Sequence, residues 1–382
     1  MLSRSKTRMR TDLISDATEI AEIEEDWRAL AELRGNAFLT PEWFWCWTDA
    51  YPESISPLVA AVKRDDGTLA GVMPLVLDKG RRPRAIRFAG AKFGDHFGPA
   101  SRPEDESAVA VATVAALAAA GLERYMLMLN RVDLASSWWR DIRDGRRSRG
   151  AEFTQQRAEL PSIRLDGLDW EAYLDTRSSS FRKRMRQRNR KLEGSGTVEV
   201  RATTNDSLAS DLAHFFALHE QRWGGRSSLD AGDAKQALSR FAEAAQRRGW
   251  LRLHLLEVDG TPVAAFLGWR VGGTFTFYQS GFDPAWSDLS VGTALLTKTI
   301  ESAFEEGASE FDMLLGDEAY KKRLQNQSRE VHTVILTKAM APARLLLAFE
   351  TRARRGSTRL ARHRKLSMTG KRLRRLLPTS RR

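Results

Sequence analysis

The sequence predicts an α/β protein built from two similar units, each with a mixed central sheet flanked by helices. The main sign of duplication is an Asp-Gly-Thr turn in each half, at 66–68 and again at 259–261. Asp-Gly between two apolar runs is a strong hairpin signal, because glycine takes a positive φ without steric cost. A helical segment precedes each hairpin, and further strand and helix follow it. The 382 residues suffice for two domains that each bury a core.

Composition along the chain predicts where these units begin and end. An alanine-rich helix over 108–120 and a strand over 125–129 belong to the first unit, and the polar, charged segment 135–151 indicates a linker. The second unit opens with a strand over 162–165 and a helix over 170–174. The predicted divisions, in chain order, are a disordered start at 1–10, a first unit at 11–155, a second unit at 156–338 and a basic tail, helical or disordered, at 339–382.

The positive charge of the chain is concentrated at its C-terminus. The net charge is +12, but residues 339–382 alone carry +13 and the rest of the chain carries −1. Leucines are interspersed among the tail's arginines, a pattern that suits a peripheral helix on an anionic membrane and equally a contact with RNA. The alternative is a disordered tail. A second basic run has seven Lys or Arg in the ten positions 182–191, and we interpret it as a solvated helix in preference to an anion-binding one.

The sequence disfavours a disulfide, a cysteine nucleophile, a metal site, a membrane span and export. The single Cys46 excludes an internal disulfide, and its place in Trp-Phe-Trp-Cys-Trp favours a small buried side chain over a nucleophile. The six histidines lack the spacing of metal ligands, so we predict no structural metal. No apolar run spans a bilayer and the start lacks a signal-peptide core, so we expect a cytoplasmic protein, with the tail allowing peripheral attachment at the inner membrane face.

The segment 274–323 carries the most functional information. An alternating strand over 274–280 leads through a loop to a helix with apolar residues at helical spacing, and then to a short apolar strand over 311–315. The turn at Ser290–Thr293 leaves backbone N–H groups unpaired at the helix start, and Gly292 allows a phosphate to approach the backbone. The segment therefore predicts an anion site.

Two neighbouring segments offer further candidate residues. A helix over 206–223, capped by Asn205 or Asp206, places His219 on its apolar face, where a histidine is more often packed than catalytic. The glycine-rich loop at 90–99 sets Asp95 beside His96. That loop is either the rim of a cleft or a surface loop shaped by its glycines.

These segments together resemble the GNAT acyltransferase superfamily and, more narrowly, the BioF2-like acetyltransferase domain of the CelD/BcsL proteins, which are associated with cellulose biosynthesis. The resemblance spans about Arg182 to Leu324. It rests on the basic segment 181–192, Leu218-His219 with Arg222-Trp223, the hairpin at Asp259-Gly260, Gly281-Phe282-Asp283-Pro284, Ser290-Val291-Gly292-Thr293, Phe311-Asp312, and Gly316-Asp317-Glu318 with Tyr320-Lys321. It implies tandem GNAT-like lobes, similar to those of the Fem aminoacyltransferases.

For the donor, the resemblance implies acyl-CoA as co-substrate, with its pyrophosphate bound at the turn before the central helix. The residues that correspond to this turn are Ser290, Val291, Gly292, Thr293 and Ala294. Leu289 stands where the family usually has Arg or Gln. Fem-type relatives use aminoacyl-tRNA, so both donors stay open.

For the chemistry, the resemblance implies an amine that attacks a thioester directly in a ternary complex. Strands 274–280 and 311–315 would splay to admit the pantetheine arm. Tyr320 is the first choice for the general acid that protonates the leaving thiolate, and Asp312 or Glu318 for a base, although Asp312 paired with Lys321 is a structural alternative. Residues expected to contact the substrate are His219, Arg222, Trp223, Tyr278 and Lys321.

The resulting expectation is an N-acyltransferase of class EC 2.3.1 that acts on a small-molecule, glycan or amino-acid-like amine, with a link to extracellular polysaccharide or cellulose biosynthesis. One alternative is a Fem-type transferase that uses aminoacyl-tRNA. Another is a non-enzymatic protein that binds a membrane or nucleic acid through its tail.

Overall fold

The computed structural model describes residues 9–80, 84–146, 151–230, 232–316 and 318–337. The predicted tail at 339–382 and residues 1–8 of the predicted disordered start lie outside these ranges. Within the ranges, no helix is long and apolar enough to cross a membrane.

Helices and strands alternate through both halves of the chain. The elements up to residue 164 are β1 (Met9–Ile14), α1 (Ala17–Ala21), α2 (Glu24–Leu33), α3 (Pro41–Ala50), β2 (Ile55–Arg64), β3 (Leu69–Asp78), β4 (Ala85–Phe88), β5 (Ala100–Ser101), α4 (Glu106–Ala119), β6 (Met126–Asp133), α5 (Ser137–Arg146) and β7 (Ala151–Arg164). The remaining elements are α6 (Trp170–Asp175), α7 (Ser179–Glu193), β8 (Val198–Ala202), α8 (Leu208–Trp223), α9 (Ala234–Arg247), β9 (Leu251–Val258), β10 (Thr261–Val271), β11 (Thr274–Phe282), α10 (Val291–Glu305), β12 (Glu310–Asp312), α11 (Ala319–Leu324) and β13 (Gln327–Thr337).

In the described residues the strands form one mixed sheet with the order β1-β2-β3-β4-β6-β13-β7-β12-β11-β10-β9-β8, and β5 adds to β3. The order shows the predicted duplication. Five strands from one edge, β1-β2-β3-β4-β6, correspond to the five strands from the other edge, β8-β9-β10-β11-β12. Each end is antiparallel, and each contains one parallel pair, β4 with β6 and β11 with β12. A helix crosses between the members of each pair, α4 in the N-terminal lobe and α10 in the C-terminal lobe.

The two lobes exchange their last strands at the centre of the sheet. Strand β7, which ends the first repeat, pairs with β12 of the second, and β13, which ends the second repeat, pairs with β6 of the first. Strands β7 and β13 also pair with each other along the whole of β13, from Gln327 with Ser162 to Thr337 with Ala151. The predicted division between 155 and 156 falls inside β7.

Local predictions agree with the structure at the hairpins and differ at two other places. Both Asp-Gly-Thr turns join paired antiparallel strands, β2 with β3 and β9 with β10. The predicted linker at 135–151 is wrong, because α5 occupies most of it and buries Trp138, Trp139 and Ile142. The predicted strand over 311–315 ends already at Asp312.

An aromatic core joins the lobes on one side of the sheet. Trp43 of α3 contacts Phe241 of α9, with ring centroids 5.1 Å apart, and Trp269 of β10 at 6.0 Å. Tyr278 of β11 lies 4.7 Å from Trp269 in the same cluster. Cys46 is buried beside this cluster, and burial raises the pKa of its thiol to about 12, as suits a packed side chain. This shared core holds the lobes in a fixed relation.

Candidate functional site

Strands β11 and β12 separate after a short parallel contact. The contact pairs Thr274–Thr276 with Glu310–Asp312. Beyond it, β11 continues to Phe282 without a partner strand on this side within the described ranges. On its other side β11 carries a β-bulge, because Leu267 pairs with Gln279 and Gly268 with Phe277, which leaves Tyr278 as the extra residue. Bulges redirect side chains and are common beside active sites. The splaying expected from the resemblance is therefore present.

The separation opens a cavity of about 220 Å³, which we call the split cavity. Its walls are residues 277–280 of β11 and 313–315 after β12. The end of α8 and the start of α11 contribute Arg222, Trp223 and Tyr320. Asp95 reaches it from the N-terminal lobe. The cavity thus combines acidic, basic and phenolic groups from both lobes.

The start of α10 lines a second cavity of about 190 Å³, the helix-start cavity. Thr293 and Ala294 donate backbone hydrogen bonds to the carbonyl oxygen of Ser290, at 2.9 and 3.0 Å. These are the first bonds of the helix, so the N–H groups of Val291 and Gly292 are left for a ligand or water. Ser290 has φ +57°, an uncommon value for a non-glycine residue. A Cβ at Gly292 would stand 3.2 Å from the Phe282 ring, so a larger residue would narrow this cavity.

A third cavity of about 140 Å³, the α7 cavity, lies between α7, α10 and α11. It is lined by Arg184 and Arg188 of α7, Thr293 and Ala294 of α10, and Arg323 of α11, among others. Thr293 borders both this cavity and the helix-start cavity. The basic run that sequence reasoning left as solvated therefore includes two arginines beside the start of α10.

Tyr320 borders all three cavities. Burial raises the pKa of its phenol, the Glu318 carboxylate raises it further, and the Arg222 guanidinium opposes both. The phenol is therefore protonated at neutral pH and retains a proton to donate. A protonated hydroxyl therefore lies where the split cavity meets the other two.

Lys321 is buried at the wall of the split cavity. Its Nζ donates to the carbonyl oxygen of Leu315 at 2.6 Å and lies 3.4 Å from Oε2 of Glu318. Burial lowers the pKa of this ammonium, while Glu318, Asp95 and Asp312 oppose the shift. Gly316 permits the arrangement, since a Cβ there would meet the Glu318 carboxylate and the Lys321 ammonium.

Arg222 is half-buried and stacked between aromatic rings. Its guanidinium lies 4.8 Å from the Trp223 ring centroid and 5.2 Å from that of Phe282, and it donates to both oxygens of Ser280. Burial lowers the pKa of Arg222. The described ranges hold no ion pair to this guanidinium, and the Glu318 carboxylate attracts it only from a distance, so it presents positive charge to the split and helix-start cavities.

Asp95 is the contribution of the N-terminal lobe. Its Oδ2 accepts a hydrogen bond of 3.2 Å from the backbone N–H of Leu315. Burial raises the pKa of this carboxyl, against the attraction of Arg131 and Lys321. Neighbouring His96 borders none of the three cavities, and burial lowers its pKa to about 3. The glycine-rich loop was the only sequence signal for Asp95.

Two predicted site residues lie away from the cavities. Asp312 is buried and accepts a hydrogen bond of 2.8 Å from the backbone N–H of Leu314. It forms an ion pair of 3.3 Å with Arg329 of β13, and not with Lys321 as predicted. His219 is fully buried, with Nε2 3.4 Å from the hydroxyl of Ser227. A Cβ at Gly281 would lie 2.2 Å from the backbone nitrogen of His219, so α8 and β11 pack backbone to backbone there.

The other predicted residues border at least one cavity. The split cavity is lined by Tyr278, Arg222, Trp223, Glu318, Tyr320 and Lys321. The residues predicted for the donor line the other two cavities: Ser290, Val291, Gly292 and Thr293 at the helix start, and Ala294 towards α7. No cluster of His, Cys, Asp or Glu suited to a metal ion occurs in the part of the chain described.

Comparison with known proteins now identifies the domain that holds these cavities. Residues 179–322 match the acetyltransferase (GNAT) domain family. The matched range contains α7, α8, α10, the split between β11 and β12, and Tyr320 with Lys321. None of the curated proteins compared with the chain matches it.

Solved structures with a similar fold cover nearly the whole chain. FemX has a TM-score of 0.63 at 11% identity over 88% of this chain and 99% of its own. The C-terminal domain of a putative lysylphosphatidylglycerol synthetase from Agrobacterium fabrum has a TM-score of 0.55 at 13% identity, over 87% of this chain and 96% of its own. L-PGS from Bacillus licheniformis has a TM-score of 0.52 at 15% identity, over 85% and 95%. The fold is that of tandem GNAT-like, Fem-like proteins.

Proposed function

We propose that this protein is an N-acyltransferase of class EC 2.3.1, which moves an acyl group from acyl-CoA directly to an amine. The observation that carries the proposal is the position of Tyr320, which borders the helix-start cavity, the α7 cavity and the split cavity at once. A carrier bound by its phosphates at the first two would present its acyl end to the third. The GNAT match over the same residues supports this arrangement.

In this proposal the carrier binds by its pyrophosphate at the start of α10. The open N–H groups of Val291 and Gly292 and the positive end of the helix dipole attract the phosphates. The first turn of α10 contains no acidic side chain that would repel them. The pantetheine arm then follows the gap between β11 and β12 into the split cavity.

The acceptor amine occupies the split cavity beside Asp95. Its raised pKa makes this carboxylate a better base near neutral pH than an exposed aspartate. The amine nitrogen forms a bond to the acyl carbon, the carbon–sulfur bond breaks, and the proton of the amine passes to Asp95. The phenol of Tyr320 gives its proton to the departing thiolate, and solvent restores both groups. Glu318 acts here by holding Lys321, which lies at the same wall. The ammonium of Lys321 stabilises the negative charge that develops on the carbonyl oxygen.

The charges of the split cavity limit the class of acceptor. Arg222 and Arg226 stand on one wall and Asp95 on the other. A molecule with an amine and a nearby anionic group, such as an amino acid or an acidic amino sugar, fits both walls. The predicted role in extracellular polysaccharide synthesis and the CelD/BcsL assignment rest on the sequence resemblance alone.

Binding and kinetics test this proposal in two steps. Acetyl-CoA at about 100 times its dissociation constant should add about 2.7 kcal/mol to the free energy of unfolding, which a thermal-shift assay detects. Initial rates with acetyl-CoA and a panel of amino acids and amino sugars should then give intersecting double-reciprocal lines, as a ternary complex requires. Parallel lines, which indicate a covalent acyl-enzyme, would contradict direct transfer.

A second candidate function uses aminoacyl-tRNA as the donor. Leu289 in place of the family's usual Arg or Gln favours it, and so does the fold likeness to a putative lysylphosphatidylglycerol synthetase. Calorimetric titration with acetyl-CoA and with charged tRNA separates the two donors. Loss of all activity on truncation at Ala339, together with no effect of Gly292→Glu, would instead support action through the basic tail.

A further inference from the structure

Helix α7 carries a feature that a solvated helix does not need. Its apolar residues Phe181, Met185 and Leu192 pack against the core beneath α10. Arg184 and Arg188 follow Phe181 by three and seven residues and lie beside this apolar stripe, with exposed side chains that border the α7 cavity. One side of α7 is therefore packed on the protein, and two of its exposed arginines stand where a ligand in that cavity would lie.

The partners of the basic residues on α7 divide them into two groups. Arg182 donates to the carbonyl oxygens of Leu174 and Asp175 at 3.1 Å, where it caps the end of α6, and Lys191 lies 3.4 Å from the carbonyl oxygen of Asp288. Arg184 and Arg188 have no acidic partner in the residues described, and both line the α7 cavity. Their charges are therefore available to a ligand.

The α7 cavity also has polar groups suited to phosphate oxygens. Asn189, Thr293 and Thr297 line it, and Arg323 enters from α11. Arg323 is held by a hydrogen bond of 3.0 Å from its Nε to the carbonyl oxygen of Ala319, which leaves the outer nitrogens of its guanidinium for a ligand. Three arginines around one small cavity match the charge and the fork geometry of a phosphate group.

We infer that Arg184, Arg188 and Arg323 form a second phosphate subsite, distinct from the one at the start of α10. This inference rests on the proposed donor site, because the two cavities meet at Thr293 and Tyr320. Its ligand is a phosphate ester on the donor. Two sources have this chemistry, the 3′-phosphate of coenzyme A and a backbone phosphate of RNA.

Titration calorimetry on the full chain tests the subsite with coenzyme A and 3′-dephospho-coenzyme A. The double variant Arg184→Gln/Arg188→Gln should lower affinity for coenzyme A about tenfold and leave affinity for the dephospho form unchanged. The matched control is Arg186→Gln/Arg190→Gln, which removes the same charge from exposed positions of the same helix outside the cavities. The control should bind both ligands as the unmodified protein does.

The outcomes separate this inference from the proposed donor. If the unmodified chain binds neither coenzyme, acyl-CoA fails as the donor, and a short RNA duplex with a 3′-CCA end becomes the probe. The Arg184/Arg188 variant should then lose about two units of salt-dependence slope relative to the control variant. Equal affinities of the two double variants for every probe would overturn the subsite. So would an equal loss for coenzyme A and its dephospho form, because the arginines would then contact the pyrophosphate.

Discussion

The two lobes share one strand–helix–strand arrangement but differ at the point where the strands separate. In the C-terminal lobe, α10 begins without an acidic residue in its first turn and opens into a cavity. In the N-terminal lobe, α4 begins with Asp105 and Glu106, which pair with Arg64 and, at 2.9 Å, with Arg34. Carboxylates at a helix start occupy the position that a phosphate would take. The lobes therefore share one scaffold, and only the C-terminal lobe leaves the start of its crossing helix free of carboxylates.

The two lobes also differ in the loop that follows the first strand of the parallel pair. After β4, the N-terminal lobe packs Phe93 on Trp47 at 3.8 Å and Phe97 on Phe88 at 5.1 Å between ring centroids. Between these two rings the loop extends Asp95 into the split cavity of the other lobe. The N-terminal copy of the fold thus contributes a carboxylate to the cavity of the C-terminal copy.

Replacing Tyr320 with Phe should have the largest effect on catalysis. Loss of the phenolic proton should lower kcat by about 10²–10³-fold, while donor affinity should change less than twofold. Tyr51→Phe in the N-terminal lobe, which lies outside the three cavities, is the control and should retain full kcat. Retained activity in Tyr320→Phe would exclude the general-acid role.

An acidic residue at the start of α10 should make the C-terminal lobe resemble the N-terminal one. Gly292→Glu should weaken donor binding about 100-fold, because it adds a negative charge where phosphates bind and narrows the cavity beside Phe282. The corresponding change in α4, Ala108→Glu at an exposed position of its first turn, should leave donor affinity unchanged. Similar losses in both variants, measured by calorimetry, would contradict a donor site that is confined to the C-terminal lobe.

Asp95→Asn tests the contribution of the N-terminal lobe. The isosteric amide cannot accept the amine's proton, so kcat should fall about 10–100-fold with donor affinity unchanged. Asp66→Asn in the exposed turn of the same lobe should retain wild-type kinetics. If the Asp95→Asn variant behaves like Asp66→Asn, acid–base chemistry is confined to the C-terminal lobe.

A smaller effect is expected on the pH dependence of stability. Burial raises the pKa of Asp312 from an ordinary value near 3.8 to about 6, although Arg329 opposes the shift. Because the folded pKa lies above the unfolded one, the folded chain binds more protons, and the free energy of unfolding falls as pH rises from about 4 to 6. The fall is at most about 3 kcal/mol.

Urea denaturation at pH 4 and pH 7 should show a smaller fall in Asp312→Asn than in the unmodified chain, since Asp95, whose pKa is also raised, supplies part of what is left. Glu310→Gln, which removes the other carboxylate paired with Arg329, should retain the full fall. An equal fall in Asp312→Asn and in the unmodified chain would assign the pH dependence to other groups.

Short-range patterns predicted the elements of the fold and half of the site. The Asp-Gly turns, the helix start at 290–294 and the strands beside it depend on local backbone preferences, which neighbouring residues reveal. Helix α5 was missed because Trp138, Trp139 and Ile142 stand among charged residues, and only their burial against α4 makes the segment helical. Local polarity was a poor guide there.

Features that depend on distant parts of the chain were not predictable. Nothing near residue 95 indicates that this carboxylate accepts a bond from Leu315. Likewise, the alignment of Arg184 and Arg188 with the apolar stripe of α7 was readable from spacing, yet the cavity they face exists only because α10 and α11 pack there. Pairing of β7 with β13 joins segments that share no sequence signal.

The exchange of β7 and β13 has a consequence for synthesis on the ribosome. Strand β6 of the N-terminal lobe finds its outer partner only in β13, where Leu127 pairs with Leu336. One edge of the first lobe's sheet therefore stays unpaired until β13, which ends at Thr337, has been translated. Exposed edges of this kind favour pairing with other chains, so we expect the nascent protein to be prone to aggregation during that interval.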